Sequence, residues 1–238
     1  MLEVQSIDTW RGPAQILRRV SLAVGNRESV CLVGRNGAGK TTTIDSIIGL
    51  LPVRGGKVVF QGKEVGRLPP YQRARMGIGY APEDAGLFTD LTVSENFQVC
   101  RWMAEASERK DQISDEETDR RIYTVFPEMK KFTGRRALFL SGGEKKMVAI
   151  ARAMALSPSV LLLDEPFEGL APVVVTRFIE AVKKIKEMGI SMLIAESNLA
   201  NAMRVADRVY AIDRGEIIYQ GDARQVYENE EVMKTIRG

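Results

Sequence analysis

The 238-residue sequence contains no histidine, two cysteines and no apolar run long enough to cross a bilayer. The absence of histidine excludes histidine-bound metal sites and a histidine general base. Cys31 lies in an apolar run and Cys100 in a predicted helix, which favours two small thiols that are buried or half-buried. The N-terminus lacks the basic start and apolar core of a signal peptide, so we expect a soluble, cytoplasmic protein.

Charge of one sign is not in large excess either. The sequence has 34 Lys and Arg residues against 31 Asp and Glu residues, a net charge of +3. So small an excess does not support the clustered basic face of a nucleic-acid-binding protein. Hydrophobic residues make up 45% of the chain and charged residues 27%, which is ordinary for a globular protein. We therefore expect no nucleic-acid partner.

Apolar segments of strand length alternate with longer segments of helical pattern. The run at 160–163 is wholly apolar, as in a parallel strand covered on both faces, and helices are expected at 41–50 and 173–188. This alternation predicts an α/β fold with a mainly parallel sheet. Residues 92–139 depart from it, because they are polar, charged and fit two helices with a break at Pro127. We interpret them as a solvated helical insert.

The segment Gly34-Arg35-Asn36-Gly37-Ala38-Gly39-Lys40-Thr41 matches the phosphate-binding loop pattern in full. Glycines let successive backbone N–H groups turn toward one phosphate, and the helix that follows directs its positive N-terminus at the anion. Lys40 reaches the β- and γ-phosphates as a point charge, and Thr41 offers a hydroxyl to Mg²⁺. The residues assigned to ATP binding here are Gly34, Asn36, Gly37, Ala38, Gly39, Lys40, Thr41 and Thr42.

Two acidic residues, Asp164 and Glu165, follow the apolar run Leu161-Leu162-Leu163. Strands often end in acidic turns, so the pair indicates little by itself. After a phosphate-binding loop it indicates the second half of an ATP site. Asp164 would hold Mg²⁺ directly or through water, and Glu165 would polarise the attacking water as general base.

The segment Leu140-Ser141-Gly142-Gly143-Glu144 opens a predicted helix. Glu144 follows Ser141 by three residues, the spacing of a capping box, and the start of a helix attracts anions. A helix cap with no further role is the other interpretation that these residues allow.

The phosphate-binding loop, the 140–144 segment and the Asp164-Glu165 pair, in this combination, resemble the ABC ATPase family over essentially the full chain. The resemblance implies a P-loop NTPase fold in one domain. Residues 1–83 and 141–238 would form a RecA-like core with an N-terminal antiparallel β subdomain, and residues from about 84 to 140 a helical subdomain. In that family the serine-glycine-glycine segment of one protomer contacts the γ-phosphate held by a second. The resemblance therefore assigns Ser141, Gly142, Gly143 and Glu144 to ATP binding across a dimer.

Gly-Leu-Ala-Pro at 169–172, together with residues 77–83 and Leu87-Phe88, is similar to the branched-chain amino acid importer (LivF-type) subfamily. This implies an ATP-hydrolysing subunit, with ATP and Mg²⁺ as cofactors, of an importer for branched-chain amino acids or another small polar solute. The implied partners are a second ABC ATPase subunit, transmembrane permease subunits and, indirectly, a periplasmic solute-binding protein. The implied location is peripheral, on the cytoplasmic face of the inner membrane.

Three positions depart from the usual family pattern, and Glu83 and Ser197 are the first two. Glu83 stands where most members have a glutamine; its carboxylate can still bind Mg²⁺ but adds a negative charge beside the γ-phosphate. Ser197 stands where most members have a histidine that hydrogen-bonds the γ-phosphate, and a shorter, neutral serine could act through a water. We expect Thr41, Glu83 and Asp164 at the metal, and Glu165, Lys40 and Ser197 in catalysis.

The adenine contact is open between two neighbouring residues. In the family, the aromatic residue that stacks on adenine usually precedes a glycine near the N-terminus. Here Arg11 precedes Gly12, and Trp10 lies one residue earlier. Either the Trp10 ring or the Arg11 guanidinium stacks on the base. We favour Trp10, and a tryptophan buried in the core is the alternative.

Two other functions compete with the importer subunit. One is an ABC ATPase that acts on nucleic acid, although this chain has no room for the long coiled coil or second ATP domain that such proteins usually carry. The other is a low-turnover regulatory subunit beside a catalytic partner ATPase. Glu83 and Ser197 favour that second alternative, and the retained Glu165 argues against it.

Overall fold

The computed structural model describes residues 1–107, 109 and 112–237. Within them the strands are β1 (Leu2–Arg11), β2 (Ala14–Val24), β3 (Ser29–Val33), β4 (Val53–Phe60), β5 (Lys63–Glu64), β6 (Ile78–Ala81), β7 (Val160–Asp164), β8 (Ser191–Glu196), β9 (Arg208–Asp213) and β10 (Glu216–Asp222). The helices are α1 (Lys40–Ile48), α2 (Pro70–Arg75), α3 (Val93–Glu105), α4 (Asp115–Val125), α5 (Gly142–Met154), α6 (Pro172–Glu187), α7 (Leu199–Met203) and α8 (Glu230–Arg237).

The larger sheet has six strands in the order β10-β9-β3-β8-β7-β6. The five strands from β9 to β6 run parallel, and β10 joins the edge antiparallel to β9. This confirms the α/β fold with a mainly parallel sheet. Since parallel strands end at one edge, the residues that follow β3, β7 and β8 meet there. In the register, Val33 pairs with Glu196 and Asp164 pairs with Ala195.

The central strands are apolar throughout because both faces of this sheet are covered. Leu161 and Leu163 of β7 join the core formed with α5 and α6. Leu162, between them, joins a second core that contains Ile44 and Ile47 of α1. Alternation along one strand thus fills two cores, which explains why the 160–163 run shows no polar face.

The smaller sheet is antiparallel, in the order β2-β1-β4-β5, and its inner face packs into the same core as α1. It matches the N-terminal β region that the family resemblance implies. The apolar pattern alone does not predict β2. The reason lies in two bulges: Ser6 and Arg19 have left-handed φ angles of 48° and 49°, and the register between β1 and β2 shifts after Val4. Each shift interrupts the period-two alternation.

The helical insert contains α3 and α4, followed by a 3₁₀ turn that begins at Pro127, so the predicted break is confirmed. Residues 108, 110 and 111 of the predicted insert lie outside the described residues. Phe97 and Ile122 anchor the two helices in the core that α5 shares. None of the helices within the described residues has the length and apolar character that a bilayer crossing requires.

Candidate active site

The phosphate-binding loop connects β3 to α1 in a conformation that depends on its glycines. Gly37 and Gly39 have φ angles of 83° and 115°, and Gly39 is the N-cap residue of α1. A Cβ atom at Gly34 would lie 2.3 Å from the carbonyl oxygen of Ile212. L-residues with side chains avoid both situations. The loop therefore curls tightly in front of the α1 N-terminus, which provides a cradle for an anion.

Lys40 lies almost fully buried at the mouth of this loop. Its Nζ donates to the carbonyl oxygens of Gly34 at 2.8 Å and Arg35 at 3.1 Å. It also donates to Oγ of Ser197 at 2.8 Å and lies 3.0 Å from Oε1 of Glu165. The ammonium group is therefore held in place by acceptors that phosphate oxygens can replace.

Asp164 ends β7 beside the loop and is 2% exposed. Neither of its carboxylate oxygens has a hydrogen-bond partner among the described residues. Burial raises the pKa of Asp164 to about 6; the nearby Thr41 hydroxyl opposes the rise, and the carboxylates of Glu165 and Glu83 add to it. A buried carboxylate without partners is costly unless a cation neutralises it. A bound Mg²⁺ held by Asp164 and Thr41 fits this arrangement.

Glu165 occupies a left-handed backbone conformation, with φ of 45°, that is rare for a residue with a side chain. Its N–H donates to the carbonyl oxygen of Ala195 at 2.9 Å. Its carboxylate Oε2 accepts from the Ser197 N–H at 3.0 Å, and Oε1 faces the Ser197 hydroxyl and Lys40. Backbone strain of roughly 1 kcal/mol or more is typical where surrounding contacts fix a functional side chain.

Ser197 links three parts of the site. Its hydroxyl accepts from Lys40 and has two acceptors within reach, Oε1 of Glu165 and Oδ1 of Asn36, the latter at 2.8 Å. One hydroxyl hydrogen can serve one of these acceptors at a time. The residue in the histidine position thus contacts the residues predicted for the phosphate and for the attacking water.

Glu83 follows β6 and faces the same space. Burial raises its pKa, the carboxylates of Glu168 and Glu165 raise it further, and the Lys146 ammonium opposes the rise. Next to Ser197, the end residue of β8, Glu196, is 2% exposed and accepts from the Asn198 N–H at 2.8 Å. The site therefore carries an unusual density of carboxylates.

A cavity of about 380 Å³ lies in front of the phosphate-binding loop, and neither Asp164 nor Ser197 lines it. It is lined by Arg11, Ile16, Asn36, Gly37, Gly39, Lys40, Thr41, Thr42, Glu83, Glu165 and Glu168. Two of these were missed in the sequence. Ile16 lies on the unpredicted strand β2, and Glu168 follows Glu165 by three residues without being assigned to the ATP site.

The two candidates for the base contact point in different directions, as neighbours on a strand do. Arg11 reaches the cavity: its Nε donates to the Thr42 hydroxyl at 3.2 Å, and its Nη2 donates to Asp45 at 2.6 Å. The Trp10 ring instead lies under the Arg54 guanidinium, 5.1 Å from it, and does not line the described cavity. Of these two residues, Arg11 lines the described cavity and Trp10 does not.

The 140–144 segment lies apart from this cavity, at the N-terminus of α5. The predicted capping box is confirmed: Ser141 Oγ accepts from the Glu144 N–H at 3.3 Å, and Glu144 Oε2 accepts from the Ser141 N–H at 2.8 Å. Glu144 also pairs with Arg135 at 3.1 Å. Gly142 remains exposed, so the helix start faces outward.

Comparison with known proteins agrees with this geometry. Residues 17–168 match the ABC transporter family. A probable branched-chain amino acid transport ATP-binding protein, LivF, of Archaeoglobus fulgidus is 33% identical over 100% of this chain and 99% of its own length. The lipopolysaccharide export system ATP-binding protein LptB of Haemophilus influenzae is 37% identical over 94% of this chain and 91% of its own length.

Solved structures show the same fold. An ATP-binding cassette of an ABC transporter in its ADP conformation superposes with a TM-score of 0.84 at 27% identity, covering 100% of this chain and 98% of that one. An ATP-binding subunit of another ABC transporter gives a TM-score of 0.85 at 26% identity, covering 100% of both chains. The chain therefore belongs to the ABC transporter family, as an ATP-hydrolysing subunit that binds ATP with Mg²⁺.

Proposed function

We propose that this chain drives an importer for branched-chain amino acids or a related small polar solute. The single observation that carries this is full-length similarity to proteins named for that transport: LivF, and BraG of Pseudomonas aeruginosa at 32% identity over 100% of both chains. The Gly-Leu-Ala-Pro segment at 169–172 supports the same subfamily. The second candidate is an exporter subunit, which the 37% identity to a lipopolysaccharide export protein favours.

We assign the hydrolytic step to Glu165. Its carboxylate takes a proton from water as the water oxygen bonds to the γ-phosphorus and the bond to the β-phosphate oxygen breaks, giving ADP and inorganic phosphate. Lys40 and the loop N–H groups hold the phosphate charge, and Ser197 orients Glu165 through two contacts. Mg²⁺ held by Thr41, Asp164 and Glu83 would supply charge neutralisation on the phosphates.

The outward-facing start of α5 supports a second subunit. Ser141, Gly142, Gly143 and Glu144 lie outside the cavity of their own chain, and a helix N-terminus attracts a phosphate. In a head-to-tail dimer this segment would close on the γ-phosphate in the partner's cavity. Such a site is complete only when two ATPase subunits meet, whether identical or related.

An exposed apolar surface next to the insert supports a permease contact. Phe88, Leu138 and Phe139 are all more than half exposed. Their segments are joined by a hydrogen bond from the Leu138 N–H to the Thr89 carbonyl oxygen at 2.9 Å. Apolar side chains grouped on a surface in this way are typical of protein contacts. A cytoplasmic helix of a permease would fit here and hold the subunit at the membrane, with a periplasmic solute-binding protein acting on the far side.

The assignment of the hydrolytic step is tested by Mg²⁺-dependent ATP hydrolysis of the purified chain and its Glu165→Gln variant. Loss of turnover in the variant, with the fold retained, supports the assignment; normal turnover refutes it. A wild type that is inactive alone, and is activated by Ser197→His or by a related ATPase subunit, indicates the low-turnover regulatory subunit instead.

The transported solute requires a test in the host cell. Deletion of the gene should abolish uptake of labelled leucine, and the wild-type gene should restore it while the Glu165→Gln gene should not. Normal leucine uptake with lipopolysaccharide retained in the inner membrane would establish the export function instead. Purification of the tagged chain with nucleic acid rather than with membrane subunits would refute both.

A further inference from the structure

A lysine of α5 that lies beyond the Ser-Gly-Gly segment reaches the back of the candidate active site. Lys146 lies five residues after the Ser141 cap and is half-buried. Its Nζ donates to the backbone carbonyl oxygen of Glu165 at 2.5 Å. The helix that carries the Ser-Gly-Gly segment is thus bonded directly to the peptide of the proposed general base.

The backbone of Glu165 is strained. Glu165 has a φ of 45°, and its N–H donates to the Ala195 carbonyl oxygen at 2.9 Å. The Lys146 ammonium fixes the other end of the residue, because it donates a hydrogen bond to the Glu165 carbonyl oxygen. A residue in the left-handed region returns to ordinary angles unless its neighbours hold it. Lys146 and Ala195 therefore hold Glu165 from two sides.

Lys146 also faces an unusual number of acidic side chains. Burial lowers the pKa of Lys146, and the carboxylates of Glu168, Glu83, Glu196 and Glu165 oppose that fall. These four acids come from three separate segments: the turn after β6, the turn after β7, and the end of β8. Like charges packed at a partly buried site repel one another and any incoming phosphate. A cation among them reduces both effects.

We propose that Lys146 is a positioning residue for ATP hydrolysis: it fixes the Glu165 backbone and offsets the charge of the surrounding carboxylates. This inference rests on the proposed role of Glu165 as general base. It assigns Lys146 no contact with ATP, because the lysine does not line the described cavity. The other interpretation is a staple that joins α5 to β7 for stability alone, and the two interpretations predict different kinetics.

Three substitutions separate the contributions. Lys146→Met removes donor and charge, Lys146→Gln keeps a donor without the charge, and Lys146→Arg keeps both. Lys183→Met is the control, because Lys183 is an exposed lysine on α6. We expect Lys146→Met to lower kcat about tenfold while KM for ATP changes less than about threefold, since a charge-assisted hydrogen bond is lost away from the nucleotide. The kcat of Lys146→Gln should lie between those of Lys146→Met and Lys146→Arg.

Charge is tested separately by adding Glu168→Gln to each variant. If Lys146 offsets the charge of the acidic side chains, Glu168→Gln should raise the kcat of Lys146→Met about threefold or more. The same substitution in the wild-type background should raise kcat by a smaller factor. A purely structural staple predicts lower thermal stability with unchanged kcat in the folded fraction, and that result would overturn the proposal. If the kcat factors of the two single variants simply multiply in the double variant, the part of the proposal that concerns charge is overturned.

The result can be distinguished from failure of the Glu165 assignment. If Glu165→Gln retains turnover, the general-base role is wrong whatever Lys146 does. If Glu165→Gln is inactive and Lys146→Met hydrolyses ATP at the wild-type rate, the role of Glu165 stands and the proposal for Lys146 fails.

Discussion

Nζ of Lys40 lies 3.0 Å from Oε1 of Glu165, and both side chains are at most about 5% exposed. The lysine proposed to receive the phosphates is therefore paired with the carboxylate proposed to activate water. ATP has to draw Lys40 away from this partner, which costs binding energy. Phosphate binding and water activation are therefore coupled through the contact between Lys40 and Glu165.

From this pair we expect Glu165→Gln to bind ATP more tightly as well as to lose hydrolysis. The neutral amide competes less for Lys40, so affinity for a non-hydrolysable ATP analogue with Mg²⁺ should rise about five- to tenfold. Isothermal titration calorimetry measures it. Glu187→Gln, which removes an exposed carboxylate at the end of α6, is the matched control and should bind as the wild type does. Equal or weaker binding by Glu165→Gln would contradict the competition.

The hydroxyl of Ser197 gives a second prediction. Ser197→Ala keeps the backbone N–H that donates to Glu165 but removes the contacts to Lys40 and Oε1 of Glu165. We expect kcat to fall about tenfold, the usual effect of losing one hydrogen bond to a charged group. Ser197→Thr retains the hydroxyl and should keep most of the rate. Steady-state hydrolysis at saturating ATP decides, and an Ala variant as fast as the wild type would show that the hydroxyl has no catalytic role.

The base contact gives a third prediction. Arg11→Ala should weaken ATP binding about three- to tenfold through loss of a cation–π or stacking contact, whereas Trp10→Phe should change it little. Inorganic triphosphate has no base, so its affinity should be the same in both variants and the wild type. If Trp10→Phe causes the larger loss for ATP alone, the base lies against Trp10 after all.

The sequence predicts the phosphate half of the site well and the base half poorly, for a physical reason. Gly34 to Thr41 form one continuous segment whose glycines fix its shape, and Asp164 ends a strand that has no other plausible structure. Arg11 is oriented instead by Asp45, which is 34 residues away. Contacts of that kind depend on how the two sheets pack around α1, and no local pattern records them.

Lys146 illustrates the same limit. In the sequence it is the second of two adjacent lysines on a charged helix turn, where a solvated side chain is the ordinary expectation. The acidic side chains near it, Glu83, Glu168 and Glu196, are brought to one place by three separate segments. The parallel order of the sheet predicts that these segments end at one edge, but not which side chains meet there.

The buried carboxyl of Glu196 predicts how stability depends on pH. Burial raises its pKa from 4.5 to about 8; the Asn198 N–H and the Lys146 ammonium oppose the rise, and the Glu165 carboxylate adds to it. Between pH 4.5 and about pH 8, Glu196 of the folded protein binds a proton that the unfolded chain releases. The stabilisation is fully present below about pH 4.5 and is lost as pH rises through about 8.

Urea unfolding of the nucleotide-free protein at several pH values from about 5 to 8 tests this. The free energy of unfolding of the wild type should fall by about 3 to 4 kcal/mol more over this range than that of Glu196→Gln. The chain has no histidine, so the usual titrations in this range are absent. Asp164, with its pKa of about 6, contributes in the same direction, and Asp164→Asn measures its share. Parallel curves for the wild type and Glu196→Gln would show that Glu196 is ionised in the folded protein over this whole pH range.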